Sequence, residues 1–205
     1  MNPRSPGAKD LISLVVPFYN ESEVIDAFFR EITPVLRNIA HAEYEIVCVN
    51  DGSTDSTLDH LLAACAADPR IKVIDLSRNF GKEAAMTAGI DAATGEAVIP
   101  FDADLQDPPE AIPAMVEKWR EGFDVVLAKR AERQTDTYAK RSSAALFYRV
   151  HNAISDIQIP ANAGDFRLMS RPAVDALKQL PENRRFMKGL FAWIGFRTTE
   201  LEYSR

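Results

Sequence analysis

The sequence predicts an α/β fold: three layers, with a mostly parallel central sheet flanked by helices. Two observations predict it. Five short apolar runs, rich in β-branched residues, alternate with helical stretches between residues 11 and 129. The polar clusters also fall just after these runs, where open α/β sheets hold their ligands.

Each element has its own justification. "LISLVVP" (11–17) is a β-branched run with the look of a buried strand. Asn20 is placed to cap an amphipathic helix over about 21–39, with Pro34 inside it. "YEIVCVN" (44–50) reads as the second strand. "DGSTDST" reads as a turn and helix start, with Ser53 or Asp55 as cap, leading to a helix through about 67. "IKVIDL" is the third strand, "GKEAAMTAGIDAAT" the third helix and "EAVIPFD" the fourth strand. Pro108 and Pro109 suit the first turn of a helix running to about 121, with Asp107 as its cap. "FDVVLAK" is the fifth strand. After residue 129 the alternation breaks down. "AERQTDT" is polar, "YAKRSSAALFYRVHNAI" looks helical, and "GDFRLMS" reads as a short strand before a helix from about 171. "RTTELEY" alternates like a last strand.

Length and composition set the frame. The 205 residues suit one domain with a substantial core, and 26% charged residues are ordinary for a globular chain. The net charge of −6 carries no nucleic-acid signal. Its distribution is uneven. Residues 1–128 hold 10 Lys+Arg against 22 Asp+Glu, and residues 129–205 hold 14 against 8. An acidic front and a basic back suit a cation site in one half and an anionic partner at the other; two solvated faces are the plain alternative. Cys48 in a strand and Cys65 in a helix read as free thiols in a reducing compartment. The first ten residues lack the apolar stretch of a signal peptide and read as a flexible N-terminus. No run approaches the ~20 apolar residues of a membrane span.

Four loops on one rim carry the chemistry: "YNE", "NDGSTD", "SRNFGK" and "DADLQD". Taken alone, "NDGST" is ordinary turn chemistry. No "GxGxxG" and no "GxxxxGK[ST]" is present, which argues against a dinucleotide cofactor and a P-loop. "DADLQD" packs three carboxylates into six residues. Charges this close stay ionised most readily beside a cation. A D-x-D at a strand end can turn both side chains toward one hard ion, Mg²⁺ or Mn²⁺, which takes one or two carboxylates plus substrate phosphates.

"VVPFYNE", "VNDGSTDST", "RNFGKEAAMTAG", "FDADLQDPPE" and "GDFRLMSR", in that order, resemble family 2 glycosyltransferases of the GT-A (Rossmann-like) fold. The branch they are most similar to is the polyprenyl-phosphate glycosyltransferases, and the resemblance runs from about 11 to 203. It implies one catalytic domain over 11–205, with a nucleotide-sugar half (11–128) and an acceptor half (129–205). Pro17, Tyr19 and Glu21 match the loop holding base and ribose, and Asp51 the acid that reads the base. Lys82 matches a donor contact, Asp102 the first acid toward ribose and metal, and Asp104 the direct metal ligand, with Gln106 beside it. Arg130 and Arg141 match the basic positions that meet the acceptor phosphate, and Arg185 lies in the "RF" stretch on the acceptor side. Asp165 matches an acid assigned as catalytic base; orienting the acceptor, or pairing with Arg167, explains it equally well.

The expected reaction is inverting, metal-dependent transfer of a hexose from a nucleotide-sugar, a UDP-sugar first, to a polyprenyl phosphate at the cytoplasmic face of the inner membrane. The partners this implies are the donor, the lipid acceptor and a membrane surface, with no nucleic acid; a homo-oligomer is left open. A saccharide or soluble acceptor, and a silent nucleotide-sugar-binding module, are the alternatives. Family members of this branch carry membrane helices after the catalytic domain, and none is expected within this chain. "RRFMKGLFAWIGF" suits a membrane interface or a buried helix with basic ends.

Overall fold

A computed structural model describes residues 9–130, 166–179 and 196–203. Seven strands form one sheet: β1 (Asp10–Phe18), β2 (Ala42–Asn50), β3 (Ile71–Asp75), β4 (Ala97–Pro100), β5 (Val125–Arg130), β6 (Arg167–Ser170) and β7 (Thr198–Tyr203). The order is β3-β2-β1-β4-β6-β5-β7. β6 runs antiparallel to both β4 and β5, and every other pairing is parallel. Two antiparallel steps restore direction, so β5 points the same way as β4. The carboxyl ends of six strands therefore share one rim. β6 inserts between β4 and β5, so the acidic and basic stretches of the chain share a single sheet.

Among the described residues five helices flank it: α1 (Ile25–Arg37), α2 (Thr57–Ala67), α3 (Lys82–Ala92), α4 (Ala111–Arg120) and α5 (Arg171–Lys178). Strand alternation sorts them into two layers. Leu14 and Val16, Ile46 and Cys48, and Val126 and Ala128 face α1, α2 and α4. Val15, Val47, Val125 and Leu127 face α3 and α5. α1 buries Ile25, Phe28, Ile32 and Leu36, a one-sided stripe at helical spacing. Phe28 is fully buried against Phe18, Phe29 and Phe101, and truncating it to Ala would cost about 3–5 kcal/mol. Gly89 lets α3 lie on the sheet, since a Cβ there would stand 2.3 Å from Val15 Cγ1.

Several expected boundaries move. β1 starts at Asp10, inside the stretch expected to be flexible. α1 starts at Ile25, because Asn20 does not cap it. Asn20 takes φ +53°, and its Oδ1 accepts from the Thr54 N–H at 2.8 Å, tying two loops together. Ser53 Oγ accepts from the Asn20 N–H, so it is not a cap either; Asp55 Oδ1 does accept from the Thr57 N–H at the start of α2. Asp107 accepts from the Tyr203 hydroxyl at 2.6 Å, and the cap position of α4 is Glu110. Cys48 is buried and Cys65 half-buried, both as free thiols. Among the described residues, no helix is long and apolar enough to cross a membrane.

Candidate functional site

Register builds the rim. Phe18 lies opposite Asn50 and Asn50 opposite Asp75, so the loops after β1, β2 and β3 leave the sheet at one level. The chain after β4 climbs to meet them, with the Phe101 N–H donating to Val15 O at 2.9 Å. A cleft of about 250 Å³ opens there, and all four polar loops reach it. Pro17, Tyr19 and Glu21 line it from β1–α1, Asp51 from β2–α2, and Asn79, Gly81 and Lys82 from β3–α3. Asp102 and Asp104 close it from β4–α4.

The D-x-D lies just past the end of β4, where the chain begins to turn. Ala103 is turned into the core, 3% exposed, and the carboxylates on either side of it face the cleft. Leu105 turns the chain back with φ +53°. The Gln106 N–H donates to Asp104 Oδ1 at 3.1 Å, which holds the exposed Asp104 side chain. The exposed Gln106 side chain lies outside the cleft lining, so this residue reaches the site through its backbone.

Lys82, the first residue of α3, places Nζ 2.7 Å from Asp102 Oδ1 and 2.8 Å from Oδ2. Both side chains remain open to water, 51% and 34% exposed. An ion pair so screened is worth about 0–1 kcal/mol. Glu21 has no such partner. Its Oε2 is the buried side-chain atom without a hydrogen bond among the described residues. Burial raises its pKa, and the charges of Asp104 and Asp102 raise it further, against a smaller pull from the Lys82 ammonium.

Asp51 departs from expectation in its burial. A place on the open rim was expected, yet Asp51 is 3% exposed. Its Oδ1 accepts from the Phe80 N–H at 2.8 Å and its Oδ2 from the Gly81 N–H at 2.9 Å. Gly52 beside it has φ +63°, and a Cβ there would stand 2.2 Å from the Arg78 carbonyl carbon. Only glycine admits that approach of the two loops.

The carboxylates fit a hard divalent cation. Among the described residues no three or more Asp, Glu, His or Cys side chains form a ready-made metal cage. Two carboxylates beside an orphaned, burial-strained Glu21 oxygen instead make an incomplete donor set, which a Mg²⁺ or Mn²⁺ ion brought in with phosphates would complete.

The acceptor-side residues are less fully described. Arg141, Asp165 and Arg185 lie outside the described residues. The backbone of Arg130 ends β5 on the same rim as Asp102. Phe166 packs edge-on against Phe101 at 5.3 Å and Tyr203 at 6.2 Å, and so fixes the start of β6 beside the D-x-D strand. Sequence reasoning missed Asn20, Asn79 and Gly81. Asn20 is a loop bridge whose partners are 33 and 34 residues away, a pairing that local turn signals do not carry.

A family model described as glycosyl transferase family 2 matches residues 13–178. An uncharacterised glycosyltransferase of Synechocystis is 53% identical over 194 residues, covering 95% of this chain and 61% of the relative. The bactoprenol glucosyl transferase of Shigella phage SfV is 50% identical over 194 residues, covering 95% and 63%. The chain thus spans about three-fifths of the length of these relatives. Among solved structures, a mannosyltransferase of Pyrobaculum calidifontis, in complex with GDP-Man and Mn²⁺, superposes with a TM-score of 0.66 at 20% identity over 98% of this chain and 58% of its own. The glucosyl-3-phosphoglycerate synthase of Mycobacterium tuberculosis, solved with Mn²⁺, UDP-glucose and phosphoglyceric acid, gives 0.61 at 20% identity over 95% and 70%. Both carry the GT-A fold predicted from the sequence.

Proposed function

The chain belongs to glycosyltransferase family 2, and on that premise we propose that it transfers a hexose, glucose first, from a nucleotide-sugar to a polyprenyl phosphate. The reading rests above all on the convergence of Glu21, Lys82, Asp102 and Asp104 in one cleft at the carboxyl rim. The lipid acceptor is suggested by the bactoprenol glucosyl transferases, and a cation-dependent nucleotide-sugar donor by the ligands of the two solved neighbours. A UDP-sugar is the first donor to try, because the relatives named for their substrate are glucosyl transferases.

In the reaction an acceptor phosphate oxygen attacks the anomeric carbon. The bond from that carbon to the donor diphosphate breaks, the nucleoside diphosphate leaves, and the configuration inverts. A bound Mg²⁺ or Mn²⁺ would neutralise charge on the departing diphosphate. Asp104 and Asp102 would hold that ion, with Glu21 behind them. Tyr19, 44% exposed at the cleft mouth, offers a face for the base, while Asp51 fixes the loop that carries Lys82. Lys82 offers an ammonium to the phosphates. The nucleophile already bears ~1.5–2 negative charges near neutral pH, so a general base contributes little. Asp165 is better cast as an orienting acid. Arg130, Arg141 and Arg185 would position the acceptor phosphate, a task suited to the forked guanidinium. Such a reaction belongs at the cytoplasmic face of the inner membrane, where a water-soluble donor meets a lipid acceptor.

Partitioning of product tests the reading. With labelled nucleotide-sugar and polyprenyl phosphate, label should enter the organic phase. Label retained in water on an added saccharide or small acceptor would replace the lipid by a soluble acceptor. Donor binding without turnover would reduce the chain to a binding module.

A further inference from the structure

The ammonium of Lys82 occupies both oxygens of Asp102, at 2.7 and 2.8 Å. Those are the oxygens that a cation bound at the D-x-D would need. An ammonium held at that range repels a divalent ion approaching the same carboxylate. From this geometry we infer that Lys82 is a resident counter-ion for Asp102, exchanged when donor and metal arrive together: the divalent cation takes the carboxylate and the ammonium moves to the donor diphosphate. The inference rests on the donor and cation reading above and adds an order of events to it.

Three features support the exchange. First, Lys82 begins α3, so its long side chain swings from a fixed backbone. Asp51 pins the preceding Gly81 N–H at 2.9 Å. The anchor stays while the charged tip moves. Second, the pair is open to water on both sides and is held weakly enough to be exchanged. Third, the charges balance at each stage. Without ligand, the ammonium offsets one of the three carboxylates, Glu21, Asp102 and Asp104. A divalent ion alone would have to displace it into water, losing the pair. A metal–diphosphate complex brings new anionic oxygens that receive the displaced ammonium. Lys82 thus works against the bare ion and in favour of the ion carried on a nucleotide. A cleft built this way favours the ion that arrives with the donor over the bare ion.

The test is calorimetric. Mn²⁺ alone, and UDP in saturating Mn²⁺, are titrated into the wild-type chain, Lys82→Met and Asp104→Asn, with circular dichroism as the check on folding. Lys82→Met keeps the aliphatic stem and removes the charge. Bare Mn²⁺ should bind Lys82→Met about twofold to fivefold more tightly than wild type, the range for an exposed ion pair. UDP with Mn²⁺ should bind it about tenfold to hundredfold more weakly, the range for a charge-assisted phosphate contact. Lys82→Arg should restore part of both. The opposite signs are the signature. Unchanged Mn²⁺ affinity with weakened UDP binding would leave Lys82 a donor contact only and overturn the exchange. Weakening of both ligands would make it a structural prop and overturn it as well. Absence of Mn²⁺ binding in every variant, with and without UDP, would overturn the cation site itself, a failure distinct from the other two.

Discussion

The Oδ2 of Asp51 accepts a hydrogen bond from the Gly81 N–H at 2.9 Å, across 30 residues of chain. Together with the Phe80 N–H on Oδ1, this closes the β2–α2 and β3–α3 loops over each other. The next residue after Gly81 is Lys82, so the clamp also sets where the cleft's ammonium begins.

That clamp predicts a double effect for Asp51→Ala. Two backbone N–H groups lose a buried charged acceptor, so the chain should lose about 1–3 kcal/mol of stability. Nucleotide affinity should fall in the same variant, because the loop bearing Lys82 is released. Urea unfolding and calorimetry with UDP and Mn²⁺ measure the two effects. Reduced affinity at wild-type stability would return Asp51 to a purely ligand-contacting role.

At the opposite end of the sheet, Glu45 predicts the acid limb of stability. It is 4% exposed, and burial alone would raise its pKa. Hydrogen bonds from Lys72, Ser13 and Thr94 outweigh burial and hold it at about 2. A depressed acid stabilises the fold above its unfolded value and loses that contribution as pH falls. The stability Glu45 supplies should therefore be complete above about pH 4.5 and fade toward pH 2. Glu45→Gln should be less stable than wild type at pH 7, with the gap narrowing by pH 3. A gap independent of pH would refute the ionised network.

Arg130 ends β5 on the rim that bears Asp102, across the inserted β6. Arg130→Ala should raise the KM for polyprenyl phosphate about tenfold to hundredfold while donor affinity holds. Arg130→Lys should recover only part, since an ammonium has no fork. An unchanged acceptor KM would remove Arg130 from the acceptor site.

Much of this was legible before the fold was seen. β-branched runs such as 11–17 and 44–50 announce buried parallel strands, because both their faces meet helices. D-x-D spacing foretells Asp102 and Asp104 on one side, since alternation at a strand end is local. Long-range pairings were not legible. Asn20 looks like a helix cap in isolation and is a bridge to Thr54, 34 residues on. Asp107 looks like a cap and binds Tyr203, 96 residues away. Asp51 looks like a rim residue because its neighbours are polar turn formers, yet two amides of another loop bury it. The insertion of β6 between β4 and β5, against the order of the chain, carries no local pattern at all.

The central claim is that this cleft performs cation-dependent glycosyl transfer, and Asp104 tests it most directly. Asp104 is exposed, and Asn would keep the oxygen that accepts from Gln106, so the fold should survive Asp104→Asn. The measurement is the initial rate of label transfer from UDP-glucose to polyprenyl phosphate, in wild type and Asp104→Asn, with Mn²⁺ and with excess chelator. The account predicts organic-phase product only for wild type with Mn²⁺, and a rate at least about a hundredfold lower for the folded variant and for chelated wild type. Near-wild-type transfer by Asp104→Asn, or by wild type in chelator, would contradict it.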